Sequence, residues 1–422
     1  MARDLRQPSP ENSLSFPQNF HIRETGDILR KLVDLVEFRG FDVITLDFSG
    51  VEICFPDAIL PLISHTIKYR DEGVRFAVIP PTYDPLTRTF QSSNWLHHFD
   101  PRRFDATTDA RFGRLSAQRF RDSKEQHVLL NQIIDCILRT TTFLRREHLR
   151  ALEWSINEIT DNVLQHAKSD SGGLIQLALK PNAKEIEFVV CDSGIGIPES
   201  LRSGLGQSWS DERALEEAVK EGISSGAGQG NGLFGSIRIA AESGGAFSIN
   251  SGGAFLNMAH DKRTKIFSQR CWLGTSVDCN INYSTPLVLE RALSFNNTPH
   301  TPVDLIELAY EQEATNLIKI NLREEAESIG TRPAGFAVRR KTENLIKLTN
   351  ADHVVFDCTG LAVMSSSFAD ELVAKLVQAY GVDGFAKMFS LRNIHETNLM
   401  IIDRSVRQRV GVSFFEIIRR KE

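Results

Sequence analysis

The chain is short of the features that would settle its class quickly. Its six cysteines (Cys54, Cys136, Cys191, Cys271, Cys279 and Cys358) are scattered through mostly apolar, strand-like contexts. No CxxC pair or His-rich spacing accompanies them, which argues against zinc and for reduced core thiols. No apolar run is long enough to span a bilayer, and the start, "MARDLRQPSPENSLSFPQNF", is polar and proline-bearing rather than signal-like, so cytoplasm is the expected address and no membrane partner is expected. No charge of one sign dominates: the net charge is −5 over 422 residues, with acids and bases interspersed, and a nucleic-acid partner is not indicated. No GxxxxGK[ST] occurs, which excludes a P-loop.

What is present is alternation. From Gly26 the text runs as a helix "GDILRKLVDLVEFRG", a strand "FDVITLDFSG", a helix near "DAILPLISHTIKYRDEG" and a strand "VRFAVIP". This is a small α/β unit over residues 24–104, preceded by a tail, 1–23, that reads as disordered. Residues 105–125 read as a connection. Long helices follow from about Gln126 to His166, then strands "GLIQLALK" and "EIEFVVC", a loop-and-helix region, and strands around "GAFSIN", "GAFLNM" and "TSVDCNIN". Residues 285–304, with "SFNNTPHTPVD", read as a linker. A further α/β unit occupies 305–422.

The outer units share a pattern. "VITLDFSGVEICFPDAILPLI" aligns without a gap with "HVVFDCTGLAVMSSSFADELV", setting Asp47 against Asp357, Ser49 against Thr359 and Gly50 against Gly360. Each is an apolar strand ending in Asp-x-[Ser/Thr]-Gly, then a short apolar run and a helix. The reading is an internal repeat around a different central domain.

Within the central region, "WSINEITDNVLQHAKSD" keeps helical apolar spacing while Glu158, Asn162 and His166 recur every fourth residue. Three polar side chains on one stripe of a half-buried helix are costly without a use. Phosphoryl chemistry calls for a carboxylate to take a proton from the attacking hydroxyl or water, and for an oxygen ligand for magnesium. Glu158 suits the first role and Asn162 the second. Some thirty residues on, a strand runs into Asp192-Ser193-Gly194-Ile195-Gly196-Ile197-Pro198; a carboxylate there can accept a hydrogen bond from an exocyclic amine while the glycines let backbone approach a flat base. Gly226, Gly228, Gly230, Gly232 and Gly235 then precede a helix, where bare amides favour phosphate.

These three pieces in this order resemble the ATP-binding domain of the GHKL superfamily, the Bergerat fold of gyrase, Hsp90, histidine kinases, MutL and the anti-sigma-factor serine kinases. The resemblance covers residues 126–284: "NEITDNVLQHA" is similar to the N box, "DSGIGIP" to the G1 box, "GQGNGLFG" to the G2 box and "LGTSVDCNIN" to the final Gly-Thr strand. It implies ATP and Mg2+ as cofactors, Glu158 as general base, Asn162 as magnesium ligand, Asp192 at the adenine amine, and Gly194 and Gly196 in the base-proximal turn. It further implies Gly228, Gly230 and Gly232 as phosphate loop, Thr275 as a hydroxyl near the nucleotide, and Glu199–Ala227 as ATP lid. His166 stands where the family often has a phosphate neighbour, with packing or capping the competing assignment. Asn231 and Phe234 depart from the commonest kinase G2 text.

"VVFDCTGLAVMSSSFADEL" resembles STAS-type modules, in which a serine at a helix start is phosphorylated by a partner GHKL kinase. Ser365, Ser366 and Ser367 fall at that place as a candidate phosphosite, with helix capping as the competing role; Phe55-Pro56-Asp57 stand in register with them. The expected fold is thus α/β: a Bergerat sandwich, a mixed sheet with helices on one face, flanked by two STAS-like domains. The expected function is a serine-kinase-type switch of the anti-sigma-factor kind, acting on a STAS-like domain or transcription regulator. An ATP-hydrolysing clamp with protein-binding arms is the alternative, and either leaves a homodimer open. A sensor histidine kinase fits poorly, since His127 and His148 lack the phosphoacceptor text.

Overall fold

The computed structural model describes residues 10–107, 114–141, 144–226, 228–312, 316–326 and 328–419. Two units are distinguished, Met1–Ile133 with Ala151–Thr301, and Ile134–Arg150 with Pro302–Glu422.

The first unit opens with β1 (Ser13–Ser15) and β2 (Asn19–Phe20), then α1 (Ile22–Val33), β3 (Val43–Asp47), β4 (Ile53–Cys54), α2 (Pro56–Asp71), β5 (Arg75–Ile79), α3 (Asp84–Ser92) and α4 (Trp95–Phe99). Strands β1, β3 and β5 form a parallel sheet in that order, and β2 pairs with β4. The reading of residues 1–23 as a disordered tail is corrected for its described part. Leu14, Phe16 and Phe20 are buried, and Phe16 stacks on Phe48 with centroids 4.0 Å apart. Three apolar side chains in a short polar text are enough to dock an edge strand once a partner strand exists. Residues 1–9 lie outside the described residues.

Next come β6 (Arg114–Phe120), α5 (Ser123–Thr140), α6 (Arg146–His166), β7 (Gly173–Lys180), β8 (Glu185–Asp192), α7 (Ile197–Leu205), α8 (Asp211–Ala218), α9 (Gly232–Ser243), β9 (Ala246–Met258) and β10 (Thr264–Asn282). The central sheet has the order β6-β7-β8-β10-β9. An α/β sandwich is what stands here, with its pairings antiparallel throughout rather than mixed, because hairpins join β7 to β8 and β9 to β10. The connection read over 105–125 contains β6, paired with β7; residues 108–113 lie outside the described residues. The two strands read at "GAFSIN" and "GAFLNM" are one, β9, which passes Gly252 at φ +59 where β10 shifts register.

Helices cover both faces of this sheet. α9 packs on β9 and β10, while α2 lies against β7, β8 and β10. One apolar core therefore runs from Leu29, Ile59 and Leu62 of the N-terminal elements to Leu174, Val189, Cys191 and Trp272 of the central sheet. The segment 285–304, read as a linker, is folded up to Thr301: α10 (Leu289–Ala292) leads into a hairpin of β11 (Ser294–Phe295) and β12 (Thr298–Pro299). Its turn residues Asn296 and Asn297 take φ of +49° and +61°, which asparagine tolerates.

The second unit holds α11 (Leu305–Ala309), β13 (Glu311–Gln312), β14 (Leu317–Asn321), α12 (Leu322–Glu325), α13 (Arg332–Thr349), β15 (His353–Asp357), α14 (Ser366–Ala369), α15 (Lys375–Met388), β16 (Phe389–Arg392), α16 (Glu396–Val410) and α17 (Phe414–Arg419). A π-helical turn, Asp370–Ala374, joins α14 to α15. The sheet order is β13-β14-β15-β16, with the last three parallel. Lys341, 3% exposed, bonds Asp135 at 2.6 Å and also pairs with Glu325, so the buried ammonium is doubly neutralised.

The repeat seen in the sequence has a structural counterpart. β1-α1-β3-α2-β5 and β14-α13-β15-α14/α15-β16 follow the same order, each with the middle strand central. Asp47 Oδ1 accepts from the Ser49 amide at 2.9 Å, and Asp357 Oδ1 from the Thr359 amide at 3.0 Å. The N-cap positions Phe55 and Ser365 also coincide. Among the described residues no helix is long and apolar enough to cross a membrane.

Candidate functional site

Helix α6 buries Ile156, Ile159 and Val163, and the neighbouring stripe carries Glu158, Asn162 and His166, each half-buried. That stripe forms one wall of a cavity of about 330 Å³. The other walls are Asp192 from the end of β8, Gly196 and Ile197 before and in α7, residues 223–225, Gly228, Gly230 and Gly232, Thr275 of β10, and Phe295 and His300. Of the residues to which the resemblance gives a role at the nucleotide, Glu158, Asn162, His166, Asp192, Gly196, Gly228, Gly230, Gly232 and Thr275 line the cavity, whereas Gly194 does not, and neither do Gly226 and Gly235 of the glycine run.

Asp192 is 4% exposed and sits between strands, opposite Gly173 of β7 and Thr275 of β10. Its carboxylate accepts from the Gly194 amide at 2.7 Å and from the Thr275 amide. Burial outweighs these two bonds and lifts its pKa to about 6. Gly194 thus shapes the turn from below: it donates to Asp192 and packs on the Ala167 carbonyl, where the next amide, Ile195, donates at 2.9 Å.

The turn is closed by a residue that motif reading missed. Ser251 of β9 is fully buried opposite Thr275. Its Oγ accepts from the Ile197 amide at 2.8 Å and donates to the Gly274 carbonyl at 3.1 Å. Its single proton being spent there, the Thr275 hydroxyl is left as donor in their 3.1 Å contact. Gly196, at φ +79, is forced by this arrangement, because a Cβ would stand 2.9 Å from Ser251 Oγ. A serine inside a strand gives no sequence signal of such a role.

At the other end, α9 begins against α6. A Cβ on Gly232 would lie 2.6 Å from Glu158 Oε2 and 3.2 Å from Glu158 Cβ, so any larger residue at the helix start would displace the Glu158 carboxylate. Asn231 turns its Oδ1 to the Gly222 amide at 3.2 Å instead of capping its own helix. The first amides of α9 are thereby left for another acceptor. Burial, aided by nearby Asp161, raises the Glu158 pKa; burial lowers that of His166.

The expected lid, 199–227, contains most of α7 and all of α8; Ala227 lies outside the described residues. Leu201, Ala214 and Ala218 make a small core of its own with Trp209 and Ile223. A relay fastens the lid to α6: His166 Nδ1 lies 3.1 Å from Ser225 Oγ, which is 2.9 Å from Ser200 Oγ. His166 thus joins α6 to Ser225 of the expected lid and also lines the cavity. Ser365, Ser366 and Ser367 lie in the second unit; Ser365 Oγ caps α14 by accepting from the Phe368 amide at 3.1 Å, and Ser366 is exposed.

A strand-end carboxylate, a helix start beside a Glu and Asn stripe, and the two-helix segment of α7 and α8 stand together here. Residues 148–270 match the family of histidine kinase-, DNA gyrase B- and HSP90-like ATPases. No curated protein matches the chain. This ATPase domain is of the ATP-binding GHKL type, and the match spans Glu158, Asn162, Asp192, the lid and the start of α9. It ends in β10, before Thr275 and the hairpin that carries Phe295 and His300.

Proposed function

We propose that the protein binds ATP with magnesium and works as a regulatory switch that phosphorylates serine in a STAS-like module, its own or a partner's. The observation that carries the reading is the convergence of Glu158, Asn162, Asp192, Gly232 and Thr275 on one cavity of the ATPase domain. Asp192 takes the adenine amine, with Gly194 and Gly196 flattening the turn against the base and Thr275 holding it. Gly228, Gly230 and the α9 amides take the phosphates.

Asn162 is the magnesium ligand in this reading. Its amide faces the cavity, and among the described residues no protein group bonds it, which suits a hard cation that takes one protein oxygen beside the phosphates. Magnesium there would neutralise charge on the phosphates. Glu158, its proton affinity raised by burial, accepts the proton of the serine hydroxyl. The serine oxygen bonds the γ-phosphorus as the bond from that phosphorus to the β,γ-bridging oxygen breaks, and ADP leaves with the bridging oxygen.

The acceptor assignment is supported by the shared element order of the outer modules and by Ser366, exposed on the first helical residue of α14. The first module has Pro56 at the matching place and a phenylalanine at the cap. The Ser365 cap favours the second reading, an ATP-hydrolysing clamp, for that serine alone. Incubation with magnesium and γ-labelled ATP, following free phosphate and protein-bound label together, decides between them. Label on Ser365 to Ser367 that Glu158→Ala abolishes supports the kinase, whereas free phosphate without label makes the protein an ATPase.

A further inference from the structure

The family match stops at Arg270, yet Phe295 and His300 of the cavity wall come from the stretch whose composition suggests a linker. Phe295 lies 6.3 Å from the ring of Trp154, one helical turn before Glu158, and 6.3 Å from Phe234 in the first turn of α9. His300 lies 6.0 Å from Phe295. Arg238 of α9 clamps the segment from beneath, donating to the Ser294 carbonyl at 3.1 Å and to the Arg291 carbonyl. The hairpin tip is in turn tied to the lid: the Asn296 amide donates to the Glu221 carboxylate. The next residue, Gly222, is held by Asn231 at the start of α9.

We propose that residues 289–300 are a nucleotide-retaining latch: Phe295 and His300 wall the cavity beside Glu158, and the Glu221–Asn296 bond holds the last part of the lid in place. The inference rests on the ATP reading of the site. The turn after Asp192 packs on Ala167, just past His166, while Phe295 meets Trp154, before Glu158, so a nucleotide with its base at Asp192 extends its phosphates along the stripe toward the wall. A triphosphate reaches farther than a diphosphate and feels the wall more. Release requires the lid to part from the hairpin, so the contacts between them govern the off-rate rather than the on-rate. Glu221 and Asn296 are positioning residues, since one belongs to the lid and the other to the hairpin and neither lines the cavity.

The test is stopped-flow release of ribose-labelled fluorescent ATP and ADP from the full-length protein. Glu221→Ala is expected to speed ATP release about fivefold, because one exposed charge-assisted bond is lost. Glu221→Gln, whose side-chain oxygen still accepts from the Asn296 amide, is expected to stay near wild type. Phe295→Ala should speed release roughly tenfold, more for ATP than for ADP. Glu216→Ala, on α8 and paired with Arg213 and Lys220, serves as lid control. If wild-type protein binds neither nucleotide, the ATP reading itself falls and the latch with it. If it binds both and Glu221→Ala and Phe295→Ala release them within about twofold of wild type, the latch is overturned and the ATP reading stands. Equal acceleration by Glu221→Gln and Glu221→Ala would also overturn it, since the accepting oxygen would then be irrelevant.

Discussion

Gly232 stands so close to Glu158 that a methyl group added to it would sit 2.6 Å from the Glu158 carboxylate oxygen. The start of α9 and the carboxylate are therefore one object in steric terms. Gly232→Ala should push the Glu158 carboxylate aside while leaving the fold intact, because the nearest atom is the end of a movable side chain. Turnover of ATP is expected to fall at least about tenfold with a smaller change in affinity. Equal loss of kcat and binding would show that the helix start itself had shifted.

Binding and turnover make separable predictions. Asn162→Ala or Asp192→Ala should abolish binding of magnesium-ATP in a calorimeter, while Glu158→Ala keeps binding and loses turnover. Tight nucleotide binding by Asp192→Ala would remove the adenine pocket from that residue.

Asp192 also fixes a pH dependence. Its pKa, about 6 in the folded protein, lies above the ordinary carboxylate range because of burial. Its accepting form is thus lost as pH falls through about 6, and affinity for adenosine, which lacks titrating phosphates, should drop there. For stability the sign is opposite: a raised folded pKa contributes below the unfolded value and is lost as pH rises through about 6. An adenosine titration from pH 5 to 8 checks the first statement, and a flat profile would refute it.

Ser251 predicts a structural cost with a functional readout. Ser251→Ala leaves the Ile197 amide without its acceptor in a buried turn, a loss of about 1–3 kcal/mol. Ser251→Thr keeps the hydroxyl. Chemical denaturation and nucleotide affinity measured together should show both falling in the alanine variant.

A carboxylate group where α2 meets the central sheet makes a further prediction. Burial, then Glu187 and Asp57, push Asp278 well above the ordinary carboxylate range, and burial followed by Glu187 raises Asp57. Their favourable contribution belongs to acid pH and disappears as pH rises through the folded values, so at neutral pH the cluster is a burden. Asp278→Asn should raise Tm at pH 7.5 and change it less at pH 5. A lower Tm at pH 7.5 would contradict the repulsion.

Glu158, Asn162 and His166 were legible in the sequence because helical period alone aligns them, and Asp192 because it ends an apolar strand before glycines. Phe295 and His300 were hidden, since "SFNNTPH" has turn chemistry and nothing in it announces that its aromatic ring meets Trp154 across a long chain separation. Strand β6 was missed for a related reason: "RLSAQRF" becomes a strand by pairing with β7 rather than by its own composition. The glycines Gly252 and Gly253 suggested a break, where the structure uses the positive φ of Gly252 to bend a continuous strand.

The apolar core shared by α2 and the central sheet has a practical consequence for anyone cloning pieces of the chain. A fragment cut at the family limits, 148–270, would strip the cover from Leu174, Val189 and Cys191, and would drop Trp272 and the half of β10 that pairs with β8. Such a fragment would offer a broad greasy face to its copies and is expected in inclusion bodies. Soluble expression calls for a start before Ser13 and for keeping Pro302–Glu422, which forms one unit with Ile134–Arg150.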